Sequence, residues 1–383
     1  MIPLMAAVLL LQASPAPATQ DTAAASRPCR VAVDSMGHYN EKTNAAGEKT
    51  TTGGGGVLAH CVGTGTTISA DSFAHYSAQG RMDLIGRVQI RDTGMTLDSP
   101  LATYFLRDEV LEAHNNVVAV NRRNGSVLRG PNLRYLRAVK GLRDTVEMYA
   151  TQRPTVEYRQ GKPGASAPPE PYIIVADRIR FKGDDRIWGG GKVTIDRSDF
   201  SARSDSMLLD QTQGVGVLVR GKPSVEGRGR QAAGQQGRGY TLGGTRIELG
   251  LEQRDVRQIK ALGNGKVTGA DWTLTADTID LHIANRMLQQ TFAWGDSQRP
   301  HAISSLYTVQ ADSMAIDSPD EVLTESRSFG KAFSTAKRDS TTTVAETDWI
   351  AGDTLTARFR QERDSATARA RSRLRQIVSR GAA

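Results

Sequence analysis

ISADSFAHYSAQGRMDLIGRVQIRDTGMTLDSPLATYFLRDEVLEAHNNVVAVNRRNGSVLRGPNLRY, residues 68–135, alternates two short phrases. The first sets an apolar residue, a gap and a small residue ahead of another apolar one, as in Ile68, Ala70 and Phe73. It returns at Leu97, Ser99 and Leu101, and again at Leu128, Gly130 and Leu133. The second is an alternating run broken by glycine or asparagine. It reads Met82, Leu84, Gly86, Val88, Ile90, and then Leu111, Ala113, Asn116, Val117, Ala119. A period of two marks a strand with one buried face.

The rest of the chain repeats this pair. The small residue of the first phrase falls at Ala70, Ser99, Gly130, Ala176, Ser204, Gly244, Ala276, Ala311 and Gly352, in steps of 28 to 46 residues. An acid follows it at Asp71, Asp177, Asp205, Asp277, Asp312 and Asp353. The second phrase recurs over Ile187–Ile195, Ile259–Val267, Leu288–Gly295 and Leu374–Ala382. The two longest steps hold Gly/Pro-rich inserts, Gln160–Pro171 and Gly227–Gly239. Surface loops tolerate such inserts because loop entropy grows slowly with length. A repeat near 30 residues, with insertions at one place per unit, predicts an all-β, stacked, quasi-linear architecture.

Nine such phrases in register, "x-A-D-x-L" alternating with "A-x-G-x-V", resemble the OstA-like family. That family comprises the periplasmic lipopolysaccharide-transport proteins LptA and LptC and the N-terminal domain of LptD. The resemblance runs from Val31 onward and is most specific over 68–135, 174–195 and 259–281. It implies an open, V-shaped β-jellyroll built of stacked two-strand repeats, with two sheets flanking an apolar groove for acyl chains. It also implies a periplasmic carrier that passes lipopolysaccharide or a related lipid towards the outer membrane. The partners implied are an inner-membrane transporter complex and an outer-membrane LptD-like barrel. The chain is longer than a typical LptA or LptC and lacks the series of membrane strands of LptD.

The division expected along the chain begins with a signal peptide at 1–18, an apolar run from Ile2 to Leu11 closed by Ala16-Pro17-Ala18. That run has no Lys or Arg ahead of it and is too short to span a bilayer. Export to the periplasm as a soluble protein follows. A first jellyroll segment is expected over 29–158, a loop or linker over 159–171 and a continuation over 172–383 with its last repeat incomplete. Between Cys29 and Cys61, strands are expected at 31–39 and 57–62 around a turn-rich segment at 44–56, together forming a capping rung. The two cysteines either pair, as suits an exported protein, or remain as two thiols. His60 beside Cys61 has no second ligand pair at zinc spacing, so no metal is expected. Beyond Tyr307 the pattern decays, and 334–347 reads as polar and exposed.

The net charge of +8 is unevenly placed. Residues 358–383 hold eight arginines against Glu362 and Asp364, leaving the body near neutral, which excludes a broad nucleic-acid face. That basic stretch suits either anionic head groups or plain solvation. A helix there and a strand at 374–378 compete, with the strand favoured by the phrase.

Enzyme motifs are weak. The runs Gly189–Thr194 and Gly263–Thr268 echo a phosphate loop but lack its order and lie inside strand phrases. No nucleophile elbow or zinc-protease helix motif occurs, and the six histidines are scattered. Neither an enzyme nor a cofactor is expected. The recurring acids Asp71, Asp177, Asp277 and Asp312 occupy equivalent places on successive rungs, so they form a ladder rather than a catalytic pair. Alternation then sends Leu84, Val88, Ile90, Val117, Ala119, Val193, Ile195, Val267 and Phe292 to one interior and Arg87 and Gln89 outward. That interior is a packed core or, following the resemblance, a lipid groove. Open sheet edges make head-to-tail self-association a further expectation, with the restart at Trp349 as its site.

Overall fold

The computed structural model describes residues 28–159, 170–228, 239–252, 255–269, 272–304, 307–336, 348–363 and 370–381. The expected signal peptide lies outside them, as do most of the two Gly/Pro-rich inserts and 337–347. The chain is all-β. A single antiparallel ladder of 27 strands accounts for it, with one 3-10 turn at Pro319–Glu321 and no α-helix among the described residues.

The ladder opens with β1 (Val31–Ser35) and β2 (His38–Thr43), both paired to the long β3 (Lys49–Cys61). Long strands then meander: β4 (Thr67–Tyr76), β5 (Arg81–Arg91), β6 (Met95–Phe105), β7 (Val110–Asn121) and β8 (Val127–Leu136). From there some rungs are split into half-strands. These are β9 (Glu147–Thr151) with β10 (Thr155–Tyr158), and β11 (Tyr172–Val175) with β12 (Arg178–Lys182). Two long strands follow, β13 (Arg186–Arg197) and β14 (Phe200–Asp210). Next come the halves β15 (Val215–Val219), β16 (Ser224–Gly227), β17 (Tyr240–Gly243) and β18 (Arg246–Glu252). The pattern repeats with long β19 (Asp255–Thr268) and β20 (Trp272–Ala284), then halves β21 (Met287–Trp294), β22 (His301–Ser304), β23 (Tyr307–Gln310) and β24 (Ser313–Asp317). Long β25 (Glu325–Ala336), β26 (Trp349–Arg363) and β27 (Ala370–Arg380) complete it.

Six of the long strands, β3, β5, β7, β13, β19 and β25, are kinked near the middle, and the split rungs break at the same place. Two consecutive residues with left-handed backbone mark the kink: Gly55–Gly56, Gly86–Arg87, Asn115–Asn116, Gly191–Lys192, Gly263–Asn264 and Gly330–Lys331. Register slips by one residue at each of these kinks, so they are β-bulges. Glycine and asparagine interrupt the second phrase because that backbone is cheap for them. The bulges stack into a fold line that divides the ladder into two leaves.

One inward residue per strand forms a continuous row in each leaf. In the first leaf Ile68 pairs with Ile90, Ile90 with Leu97, and the row runs on through Ile174, Ile195, Leu242, Val267 and Leu274. In the second leaf Leu84 pairs with Ala102, and the row passes Ala150, Ile179, Gly189, Met207 and Leu218 to Ile247, Ala261, Ile279 and Ala293. These side chains belong to one core cluster, so the leaves pack face to face. Beside the fold line Val88, Val117 and Val193 oppose Ser99, Gly130 and Ser204. The leaves converge there, and small residues leave room for the valines. This is the physical reason for the small residue of the first phrase.

Two expectations are corrected. Residues 49–56 are strand rather than turn: Thr50, Thr51 and Thr52 pair with both β2 and β4, and only Gly55–Gly56 breaks the run, as the bulge. The decay after Tyr307 is also absent, because β23 to β27 continue the ladder and Ser334 is buried within it. Serine replaces apolar residues in that stretch without breaking the pairing.

Candidate functional site

The feature with most room for a function is the enclosed interior between the leaves. Leu84, Val88, Ile90, Val117, Ala119, Val193, Ile195 and Val267 all face it and are at most 7% exposed. Phe292 does not. In β21 the register slips between His282 and Ile283, Gln289 becomes the extra residue of a bulge, and the inward residues become Leu288, Thr291 and Ala293. Phe292 stands on the outer face instead, edge-on to His282 with ring centroids 5.1 Å apart. Toward β25 the interior gains hydroxyls, with Thr291, Ser328 and Ser334 all buried.

On the fold-line side, each recurring acid packs against the glycine of the following kink. A Cβ at Gly86, Gly191, Gly221, Gly330 or Gly381 would fall within the carboxyl group of Asp71, Asp177, Asp205, Asp312 or Asp353 respectively. Arginines complete several of these clasps: Arg87 with Asp71 at 2.6 Å, Arg153 with Asp177 at 3.1 Å and Arg299 with Asp312 at 2.9 Å. The acids are therefore half-exposed structural clasps, present at six of the nine repeats of the first phrase.

On the opposite side, the hairpin tips of the two leaves meet through polar contacts. Asn121 and Arg123, at a tip of the first leaf, donate to Asp184 of the second at 2.7 and 3.0 Å. Arg197, at the end of β13, donates to Asp199 and crosses to Asp255 at the start of β19 at 3.1 Å. Arg286 of the second leaf reaches back to Asp199. Arg197 is buried, and its guanidinium lies 4.3 Å from the Tyr172 ring centroid. Burial opposes its charge, yet Asp199, Tyr172 and Asp255 outweigh that and raise its pKa.

The N-terminal end of the interior is closed differently. Cys29 and Cys61 are joined by a disulfide, with Cα atoms 4.9 Å apart. The Cys29 N–H donates to the buried carboxylate of Glu109, which also accepts from the Tyr104 hydroxyl and, at 2.8 Å, from Arg137. Burial and the neighbouring carboxylate push the Tyr104 phenol well above its usual range. Beside this cluster lies a small cavity of about 20 Å³ lined by Cys61, Ile68, Leu84, Met95, Tyr104, Tyr135 and Arg137 among others. That volume holds roughly one water.

Sequence reading missed the tips. Arg197 and Asp255 are 58 residues apart, and Cys29 and Glu109 are 80 apart. The one available signal was the set of tyrosines, Tyr104, Tyr135, Tyr158, Tyr172 and Tyr240, all buried although tyrosine usually keeps its polar tip in water. No protein-family model matches the chain, and no curated protein matches it either.

Proposed function

We propose that this protein is an OstA-like periplasmic carrier that takes up lipopolysaccharide or a related lipid between its two leaves and passes it towards the outer membrane. The observation that carries this reading is the pair of unbroken inward rows, hinged along a line of bulges. Such a frame becomes an open, V-shaped jellyroll by parting at the tips while every ladder hydrogen bond is kept. Parting would expose the valines and isoleucines of both rows as the walls of a groove. Each acyl CH₂ covered there gains about 0.8 kcal/mol, so a dozen carbons gain on the order of 10 kcal/mol before entropy losses. The ion pairs of Arg197, Arg123 and Arg286 would then be the contacts broken on opening. Head-to-tail contact through the terminal rungs, with an inner-membrane transporter at one end and an LptD-like barrel at the other, completes the proposed bridge.

A second reading is favoured by the tightness of the interior, with lining residues at most 7% exposed and a cavity beside them that is only water-sized. On this reading the core stays filled, and the protein is a structural envelope component acting through its strand edges. Photo-crosslinking in cells separates the two, with a probe placed in turn at Val88, Val193 and Val267, and at the exposed Arg87 as control. Lipid adducts at the three valines and none at Arg87 are expected for the carrier. A folded, exported protein with no lipid adduct at any valine leaves the filled core.

A further inference from the structure

We infer that the part of the interior between β21 and β25 receives the ester or amide linkage of an acyl chain whose alkyl part lies along the apolar rows before it. This rests on the carrier reading and adds a direction to it. In the second leaf, the row nearer the tips is apolar through Leu249, Ile259 and Leu281, and then meets Thr291 on β21. Ile316 follows on β24 and Ser326 on β25. In the next row Met314 is paired with Ser328, and in the first leaf Val309 is paired with Ser334. Ser318 continues the alternation of Met314 and Ile316 and is buried with them. Its N–H donates to the Gln289 carbonyl, which sets it diagonally across from Thr291. Both leaves therefore turn hydroxyls inward over the same stretch.

Two of these hydroxyls lack a counterpart. Ser99 and Ser204, buried beside the fold line, donate to the carbonyls of Leu101 and Ser206. Thr291 is fully buried, and neither its Oγ1 nor the Ser318 Oγ has a hydrogen-bond partner among the described residues. A buried hydroxyl left unpaired costs stability that valine or alanine would spare in a core that is only packed. The group that meets these hydroxyls is uncharged, because the buried residues described from β21 to β25 include no acid or base to compensate an ion. It is also an acceptor at the end of an alkyl chain, since hydroxyls donate into it while the rows beyond are hydrocarbon. An ester or amide carbonyl meets both conditions, and a phosphate stays outside the leaves. From Thr291 back to Leu249 is three strand spacings, about 14 Å of apolar wall for the chain.

The test is photolabelling of the purified full chain with two methyl dodecanoates, one carrying a diazirine beside the ester and one at the far end of the chain, read by peptide mass spectrometry. The ester-side probe is expected on residues 287–336 and the far-end probe on 246–281. Both probes on the same segment, or the opposite order, overturn the inference and leave the carrier reading standing. No adduct on any inward residue overturns this inference together with the carrier reading. Thr291→Val keeps the shape and removes the hydroxyl, so its urea midpoint should rise. Its labelling by the ester-side probe should fall several-fold, while a diazirine-bearing dodecane labels parent and variant alike. Near-ultraviolet circular dichroism establishes that the variant is folded. Equal loss for ester and alkane marks a merely structural hydroxyl, and unchanged ester labelling marks one that the ligand does not use. Either result overturns the inference.

Discussion

At Gly191 the backbone has φ of +78°, and the carboxyl group of Asp177 fills the space a Cβ would need. An L-residue is strained there twice over, by its own backbone and by the collision. Gly191→Ala should lower stability by about 2 kcal/mol in urea unfolding. The penalty should shrink when Asp177→Ala is added, and an equal penalty in both backgrounds would remove the clasp from the account. Asp210 offers a second test at this scale. It is almost fully buried and accepts from the Thr212 hydroxyl at 2.6 Å, the Gln213 N–H at 3.2 Å and Arg186 at 2.8 Å. Burial opposes its charge, but those donors outweigh it and hold the carboxyl below its ordinary value. The native protein then binds fewer protons than the unfolded chain near pH 3 to 4, so stability rises with pH through that window. Asp210 contributes fully above the unfolded value, about 3.9, and its contribution is lost as pH falls through the lower native value. In Asp210→Asn, the urea midpoint measured from pH 2 to 5 should change less steeply than in the parent. Of these sites the acid-and-glycine repeat was readable in the chain, since both members recur in phase. Glu109 was not, because its partners Cys29 and Arg137 arrive from 80 and 28 residues away.

Within one element the informative pattern is the size of successive inward residues. Along the second leaf Ala150, Ile179, Gly189 and Met207 alternate small and large, as do Ala261, Ile279, Ala293 and Met314. Facing leaves of that kind interdigitate, so volume must be conserved locally. Ile279→Ala should cost about 2–5 kcal/mol in chemical unfolding, and Ala261→Leu about 1–3 kcal/mol from overpacking. A neutral Ala261→Leu would instead mean that free space exists between the leaves. Periodicity made the strands legible because burial on one face imposes it. It failed at Phe292, where the extra residue Gln289 shifts the phase and sends the ring outward. It failed again at 49–56, where threonine and glycine are weak markers although the backbone of 50–54 is paired on both sides.

At the scale of the whole molecule the continuous ladder was foreseeable from the repeat, since nearest-neighbour stacking is what a repeat near 30 residues encodes. On either side of the loop or linker expected over 159–171 the ladder is continuous: β10 pairs with β11. What the chain could not announce is that the two leaves close on each other, because the closing contacts are single polar residues at hairpin tips with no periodicity. The order of strands carries one further consequence, a mechanical one. β1 and β27 lie at opposite ends of a ladder whose hydrogen bonds run along its length. A pull applied between those ends loads the rungs in series and strips one strand at a time, in the manner of a zipper. A pull along the strands shears many bonds at once. The molecule is therefore compliant along its long axis and stiff across it, and strung between two anchors it would lengthen stepwise, rung by rung.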